Sequence, residues 1–295
     1  MGKKHIKIIT DSNSGISPSE GKKHNIGIIP MPFTIKNKEY YELSTLCREQ
    51  FFERLNHGEK IYTSQPSISN LMNVFENTLE EYEEIIYIPM SSGLSGSYLT
   101  AQMLADEYDG RIHVVDNHRI SCTQKQSVLE ALNLVEEGYS ATSVCEILDR
   151  HKYDASIYIT VDTLEYLKKG GRITKSALLL GDMLNIKPVL QIQGDKLDAY
   201  KKVRGKKAAR RALIEAVDKD IADRFKNKNV IIKGAYCGDI REAQEWEEQL
   251  KEHYPEQVIS LDQLPLSICC HIGPSAIAIV CMEKLKENSN IIYEL

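Results

Sequence analysis

Short β-rich runs alternate with longer helical patterns through the first half of the chain. Parallel strands need long crossover connections, and a helix of ten or more residues supplies one. The alternation therefore predicts an α/β fold whose parallel sheet is covered by helices on both faces. The predicted strands are 6–10, 26–30, 85–88 and 112–115, and the predicted helices are 67–82, 99–108, 123–137 and 141–151.

The second half has a different strand spacing, which indicates a second domain. A strand at 156–161 leads into a short helix, 164–169, which Asp162 or Thr163 caps and Gly170-Gly171 ends. Further on, the pattern predicts a hairpin of 188–193 and 197–203 around Gly194-Asp195-Lys196, helices at 206–226 and 240–253, and strands at 229–235, 258–261 and 276–282. We place the boundary near 151–156 and predict domains 1–154 and 155–295.

Composition narrows the class of protein. At 295 residues, 42% hydrophobic and 27% charged, the chain has the make-up of a globular protein with two cores. A net charge of −5 argues against a dedicated nucleic-acid binder. Seven cysteines without a C-x-x-C pair favour free thiols in a cytoplasmic protein and no metal site. The longest nearly apolar run, 264–282, contains a histidine and two prolines, so we expect buried core and no membrane span.

The loop Ser91-Ser92-Gly93-Leu94-Ser95-Gly96-Ser97-Tyr98 follows a predicted strand and opens a predicted helix. Backbone N–H groups and the positive end of a helix dipole converge at such a place and favour a small anion. The loop matches neither common nucleotide-binding pattern. Its other interpretation is a tight turn that needs Gly and Ser for geometry alone.

Three further motifs carry polar groups, and each has an ordinary structural interpretation. Thr63-Ser64-Gln65-Pro66-Ser67 is a polar extended segment that ends in a natural helix cap. His271 in His271-Ile272-Gly273-Pro274-Ser275 is either a ligand or a satisfied core histidine. Arg172 after Gly170-Gly171 is either a binding residue or an exposed cation at the end of a helix.

Taken together, these motifs resemble the DegV family, in the same order and spacing. The resemblance runs from about residue 7 to 282 and also includes Thr10-Asp11-Ser12, the segment 162–173 and Asn185-Ile186-Lys187-Pro188-Val189-Leu190. It implies a bacterial fatty-acid-binding protein with a Rossmann-like three-layer domain and a two-layer α/β domain with a mixed sheet. In this family a fatty acid lies between the domains, and some members are the acyl-carrying subunit of fatty acid kinase.

The resemblance also implies a set of ligands for the fatty-acid carboxylate, namely Thr63, Ser95, Gly96 and His271, with Ser64, Ser92 and Arg172 as possible additions. The ligand would be a long-chain fatty acid such as palmitate or oleate, with no cofactor. The chain would be a carrier without catalysis of its own, and a separate ATP-binding kinase subunit would form the acyl phosphate. Ile272 and Ser275 depart from the family pattern, which puts the hydrogen bonds near the head group in doubt.

Two other functions compete with the lipid carrier. A serine hydrolase would use Ser95 as nucleophile, His271 as base and Asp11 or Asp116 behind it, but Ser97 breaks the G-x-S-x-G pattern. A sugar- or ketone-binding subunit related to dihydroxyacetone kinase is the nearer alternative, because that fold resembles DegV.

Two segments are interpreted by composition. The apolar residues near Gly170-Gly171 are candidate tunnel walls or ordinary core: Ile173, Leu178, Leu179, Leu180, Met183, Leu184 and Ile186. The segment 201–211 holds seven cations in eleven residues and is either a solvated surface or a docking site for an acidic partner, centred on Arg204 and Lys206.

Overall fold

The computed structural model of the chain describes residues 4–179 and 186–285. These residues divide into two compact units. The first contains the chain up to Tyr153 together with Leu285, and the second is Asp154–Lys284. In the described part of the chain, no helix is long and apolar enough to cross a membrane.

The first unit alternates strands and helices as the sequence pattern predicts. Its strands are β1 (Lys4–Asp11), β2 (Gly27–Ile29), β3 (Pro32–Ile35), β4 (Lys38–Tyr41), β5 (Ile61–Thr63), β6 (Tyr82–Ile88) and β7 (Ile112–Val114). Its helices are α1 (Pro18–Lys23), α2 (Arg48–Asn56), α3 (Ile68–Glu81), α4 (Ser97–Ala105), α5 (Cys122–Glu136) and α6 (Ala141–Arg150).

The main sheet of the first unit is parallel and has helices on both faces. Within the described residues its strand order is β2-β1-β6-β7. One face packs Leu71 and Phe75 of α3 and Ala101 of α4 into a single apolar core. The other face packs residues of α5 and α6, such as Val128 and Val144, into a second core. This is the predicted three-layer arrangement, and it is confirmed.

A small antiparallel sheet, β4-β3-β5, was not predicted. Its strands have only three or four residues, too few for a period of two to stand out. The turn between β3 and β4 consists of Lys36 and Asn37, both with positive φ, at 50° and 63°. Such turns usually contain Gly, so the sequence signal was missing.

The second unit contains the remaining elements. Its strands are β8 (Ala155–Val161), β9 (Ile186–Ile192), β10 (Asp198–Arg204), β11 (Val230–Cys237), β12 (Leu261–Gln263) and β13 (Ala276–Glu283). Its helices are α7 (Glu165–Gly170), α8 (Lys175–Leu178), α9 (Lys206–Asp223), α10 (Ile240–His253) and α11 (Leu266–Ile272).

These strands form one mixed sheet with a helical layer. Over the described residues the strand order is β10-β9-β8-β13-β11-β12, and β11–β12 is the parallel pair. Leu213 and Val217 of α9 and Trp246 and Leu250 of α10 pack against side chains of this sheet in one core. The predicted two-layer domain with a mixed sheet is confirmed.

Local predictions in this unit had different outcomes. The hairpin β9–β10 is present, and Gly171, with φ 69°, ends α7 as predicted. Leu164 holds the capping position of α7, and Asp162 pairs with Lys187 at 2.6 Å. Thr163, the other predicted cap, accepts through its Oγ1 from the backbone N–H of Glu165, the first residue of the helix, at 3.2 Å. The strand predicted at 258–261 lies at Leu261–Gln263, and Val258 is 73% exposed.

Candidate functional site

Polar side chains lie where strands β1 and β6 end, at the carboxyl edge of the parallel sheet, and Asp11 ties them together. It is fully buried and accepts hydrogen bonds from the backbone N–H of Met90 at 2.9 Å, the backbone N–H of Asn13 at 3.0 Å and Gln124 Nε2 at 3.1 Å. Burial raises the pKa of the Asp11 carboxyl. With its oxygens engaged by these donors, Asp11 fixes the start of the loop after β6.

The loop after β6 is held by hydrogen bonds from its own backbone. Buried Ser91 accepts from three loop amides, through its Oγ from Gly93 N at 3.1 Å and through its carbonyl from Leu94 N at 3.0 Å and Ser95 N at 3.1 Å. Ser92 N donates to Asp116 Oδ1 at 3.1 Å. The loop therefore has a defined shape, and Asp116, like Asp11, serves as a structural acceptor.

The start of α4 is the part of this loop that offers unused donors. Gly96 is the capping residue, and no side chain caps the helix. Among the described residues, no acceptor is found for the backbone N–H groups of Gly96, Tyr98 and Leu99. The Ser95 hydroxyl lies 2.8 Å from the Ser97 hydroxyl. Free amides at the positive end of a helix, beside hydroxyls, form an arrangement that binds a carboxylate or phosphate.

Gln65 joins the two hydroxyl-rich segments of the first unit. Its Nε2 donates to Thr100 Oγ1 of α4 at 2.7 Å, and its Oε1 lies against Gly96, where any side chain would collide with it. Sequence reasoning gave Gln65 no role of its own. The only signal was its position inside the 63–67 motif.

The rest of that segment lies where strand β5 leads into α3. Thr63 is half-buried and pairs with Phe33, and Ser64, which is exposed, donates its backbone N–H to the Pro32 carbonyl at 3.2 Å. Ser67 caps α3 by accepting from Asn70 N at 3.2 Å, as predicted. The structure thus places Thr63 and Ser95 in segments that contact each other through Gln65.

His271 and Arg172 belong to the second unit, where α7 and α11 pack together. The His271 ring lies directly against Gly170, and no side chain would fit at that position. Burial and the neighbouring Arg172 lower the pKa of His271 to about 4, so its imidazole is neutral near pH 7. Arg172 donates to the Gly170 carbonyl. A neutral imidazole can donate one hydrogen bond to a carboxylate without neutralising it.

The basic segment 201–211 is partly neutralised by glutamates of the same unit. Among the described residues, five pairs account for this: Lys201–Glu215 at 3.0 Å, Lys206–Glu242 at 2.9 Å, Arg210–Glu242 at 3.6 Å, Arg210–Glu245 at 3.2 Å and Arg211–Glu215 at 3.4 Å. Within the described residues, Lys202, Arg204 and Lys207 have no carboxylate partner. The uncompensated charge of this segment therefore centres on exposed Arg204.

The candidate tunnel residues are only partly described. Ile173 is buried, while Leu179 is 84% exposed. Leu180, Met183 and Leu184 lie outside the described residues, as does Asn185 of the 185–190 motif. Whether this segment lines a tunnel stays a prediction.

Comparison with known proteins agrees with these motifs. The family model described as "Uncharacterised protein, DegV family" matches residues 5–284. The chain belongs to the DegV family. A DegV domain-containing protein of Deinococcus radiodurans is 35% identical over 213 residues, 72% of this chain and 76% of the relative. One from Staphylococcus aureus is 27% identical over 278 residues, 94% of this chain and 98% of the relative.

Solved structures of DegV proteins share the fold. A fatty-acid-binding DegV family protein from Thermus thermophilus is 28% identical, with a TM-score of 0.86 over 95% of this chain and 100% of the other. DegV of Bacillus subtilis, described as a fatty acid binding protein, is 27% identical, with a TM-score of 0.83 over 96% of this chain and 100% of the other. These structural relatives are DegV proteins that bind fatty acids.

Proposed function

We propose that this chain binds a long-chain fatty acid such as palmitate or oleate and holds its carboxylate at the start of α4. The observation that carries the proposal is the contact of Gln65 with Gly96 and Thr100, which joins two hydroxyl-rich segments beside unused backbone amides. The fatty-acid binding of the Thermus and Bacillus relatives supports the same ligand class.

Within this proposal the carboxylate accepts hydrogen bonds from the hydroxyls of Thr63 and Ser95 and from the Gly96 amide. Neutral donors and a helix dipole stabilise a carboxylate without pairing it to a cation. His271 is a further candidate that the family resemblance supplies, and its pKa, lowered to about 4, keeps the ring uncharged near pH 7. Ser64, Ser92 and Arg172 are further candidates. The Ser92 amide already serves Asp116, so Ser92 would contribute its hydroxyl.

The acyl tail supplies most of the affinity in this proposal. Burial of one CH2 is worth about 0.8 kcal/mol, so a long chain offers on the order of 10 kcal/mol before costs. A hydrogen bond to a charged group contributes about 1.5–3 kcal/mol. The head-group clamp therefore fixes orientation, and the apolar site determines how tightly the ligand is held.

We further propose that the chain is a carrier without catalysis of its own. A carboxylate held by neutral groups keeps its oxygen available as a nucleophile toward ATP bound on a separate kinase subunit. That subunit would dock near Arg204 and Lys206. Lys206 already pairs with Glu242, so the uncompensated charge of Arg204 would attract an acidic partner first. The carrier needs no cofactor, and we place it in the cytoplasm, where ATP is available.

The proposal is tested by comparing palmitate with hexadecanol, which has the same tail length but no carboxylate, in equilibrium binding to the full chain. We expect Ser95→Ala and Thr63→Ala each to weaken palmitate binding by about 1–3 kcal/mol while changing hexadecanol binding little. Thr78→Val is a matched control, since it removes a hydroxyl that donates to Val74 O inside α3, away from the proposed clamp.

Two results would contradict the proposal. Failure of the wild-type chain to bind palmitate would remove the ligand class. Equal losses for palmitate and hexadecanol in Ser95→Ala would remove the head-group clamp and leave the loop a structural turn.

A further inference from the structure

The loop after β7, residues 115–121, supports the loop after β6 from one side. The Asp116 carboxylate accepts a hydrogen bond from Ser92 N at 3.1 Å, and the Arg119 carbonyl accepts one from Ser91 N at 2.9 Å. Two consecutive amides of the loop that would hold the carboxylate therefore take their positions from the loop after β7. Whatever fixes the loop after β7 also fixes the first half of the loop after β6.

The backbone of the loop after β7 is strained. His118 has φ 50°, and Ser121 has φ 56° with ψ −133°, values that residues other than glycine rarely adopt. Such conformations persist only where surrounding contacts hold them, and they cluster at functional sites. Ser121 N donates to the Asn13 carbonyl at 3.0 Å, which holds the far end of the loop. The middle of the loop needs an anchor of its own.

The buried side chain of Arg119 is that anchor. Its Nη1 donates to Ser127 Oγ of α5 at 3.1 Å, and its Nη2 donates to the His151 carbonyl, just after α6, at 2.8 Å. Nη1 also lies 3.5 Å from Oε2 of Glu130, another buried residue of α5. The planar fork of one guanidinium thus joins the loop to two helices, a geometry that the single ammonium of a lysine does not reproduce.

We infer that Arg119 is a positioning residue: it fixes the loop after β7 and, through that loop, the amides of Ser91 and Ser92. A buried ion pair can often be replaced by apolar residues without loss of stability, so stability alone does not require the guanidinium. Apolar side chains would not supply the hydrogen-bonded link between the loop and the helices. The expected effect on palmitate rests on the proposed function, whereas the effect on the loop amides needs no ligand.

Amide hydrogen exchange in the delipidated full chain, followed by NMR, tests the link from Arg119 to the loop. The variant is Arg119→Met/Glu130→Gln, in which no buried charge of this pair is left without its partner. We expect the Ser91 and Ser92 amides to exchange about tenfold faster than in wild type, because the loop that holds them relaxes. The neighbouring amide of Met90 is the internal control, since Asp11 holds it at 2.9 Å and its rate should not change.

Equilibrium binding of palmitate and hexadecanol to the same variant tests the consequence for the site. The dissociation constant of palmitate should rise about fivefold while that of hexadecanol changes little, because the carboxylate alone depends on the loop amides. Arg119→Lys keeps the charge without the fork and should give an intermediate loss. Tyr158→Phe, which removes a buried hydrogen bond to Asp220 in the second unit, is the control for lost stability and should leave the ratio of the two affinities unchanged.

Thermal unfolding checks that each variant folds, and Arg119→Lys replaces the double variant if that one does not, with smaller expected effects. Wild-type exchange rates of Ser91 and Ser92 in a folded variant overturn the inference. An unchanged ratio of palmitate to hexadecanol affinity overturns its consequence for the site. A wild-type chain that binds no palmitate contradicts the proposed function alone, since the exchange rates still decide whether Arg119 positions the loop.

Discussion

A methyl group added at Gly96 tests how the two hydroxyl-rich segments are held together. Gly96 has φ −75°, in the right-handed region, so alanine introduces no backbone strain there. Its Cβ would collide with Gln65 Oε1, the flexible end of a side chain whose Nε2 bonds Thr100 Oγ1 at 2.7 Å. We expect Gln65 to rotate away and lose that bond while the loop stays folded.

The expected magnitude follows from this one hydrogen bond. Gly96→Ala and Gln65→Ala should each lower the free energy of unfolding by about 1 kcal/mol, because each removes the same interaction. The double variant loses it only once, so its cost is also about 1 kcal/mol. The two substitutions are then coupled by about 1 kcal/mol.

Urea unfolding of wild type, the two single variants and the double variant measures this coupling. In the control, Gly96→Ala combined with Thr78→Val, the two losses of unfolding free energy should be additive. Palmitate affinity should fall about fivefold in both single variants, the equivalent of about 1 kcal/mol. Additive effects of Gly96→Ala and Gln65→Ala would show that Gln65 does not connect the two segments, and the reasoning about the site would be wrong.

Two further predictions concern docking and pH. The double variant Arg204→Glu/Lys206→Glu should slow acyl-phosphate formation by the kinase subunit and leave palmitate binding unchanged. The control Arg211→Glu, on the same helix as Lys206, should change neither the rate nor palmitate binding. A normal rate of acyl-phosphate formation in the double variant would show that this segment is a solvated surface. Because the pKa of His271 is lowered to about 4 from 6.5, the unfolded chain binds a proton between these values that the folded chain does not. The free energy of unfolding should therefore fall by up to about 3 kcal/mol as pH drops from 6.5 to 4. Urea unfolding at pH 6.5 and pH 4 measures this loss, and His271→Gln should lose less stability between the two pH values than wild type does. The same pH dependence in both proteins would refute the role given to His271.

Helices with a clear periodic pattern of apolar and polar residues were predictable from the sequence. The predicted helix 123–137 lies at Cys122–Glu136, and the predicted helix 240–253 is exact. In contrast, α11 (Leu266–Ile272) has seven residues and is almost entirely apolar, so no period separates a helix from a strand there. The edge strand β12 contains Asp262 and Gln263, which sequence preference places in a loop.

The candidate site was predictable in its residues more than in its contacts. Hydroxyl and glycine spacing singled out the loop 91–98, because a loop that opens a helix has recognisable chemistry, and the resemblance to the DegV family supplied Thr63, Ser95 and Gly96 as ligands. The role of Gln65 depends on a contact between segments about thirty residues apart, which local pattern does not encode. The structural role of Asp11 likewise depends on Met90 and Gln124, which lie far from it in the chain.

The ligand itself is the most direct test of the account. Lipid is extracted under denaturing conditions from the full chain as purified from a bacterial host, and mass spectrometry identifies and quantifies it. The account predicts about one long-chain fatty acid per chain, because a buried tail of this length leaves slowly. A preparation that contains no fatty acid, and that also fails to bind added palmitate or oleate, would contradict it.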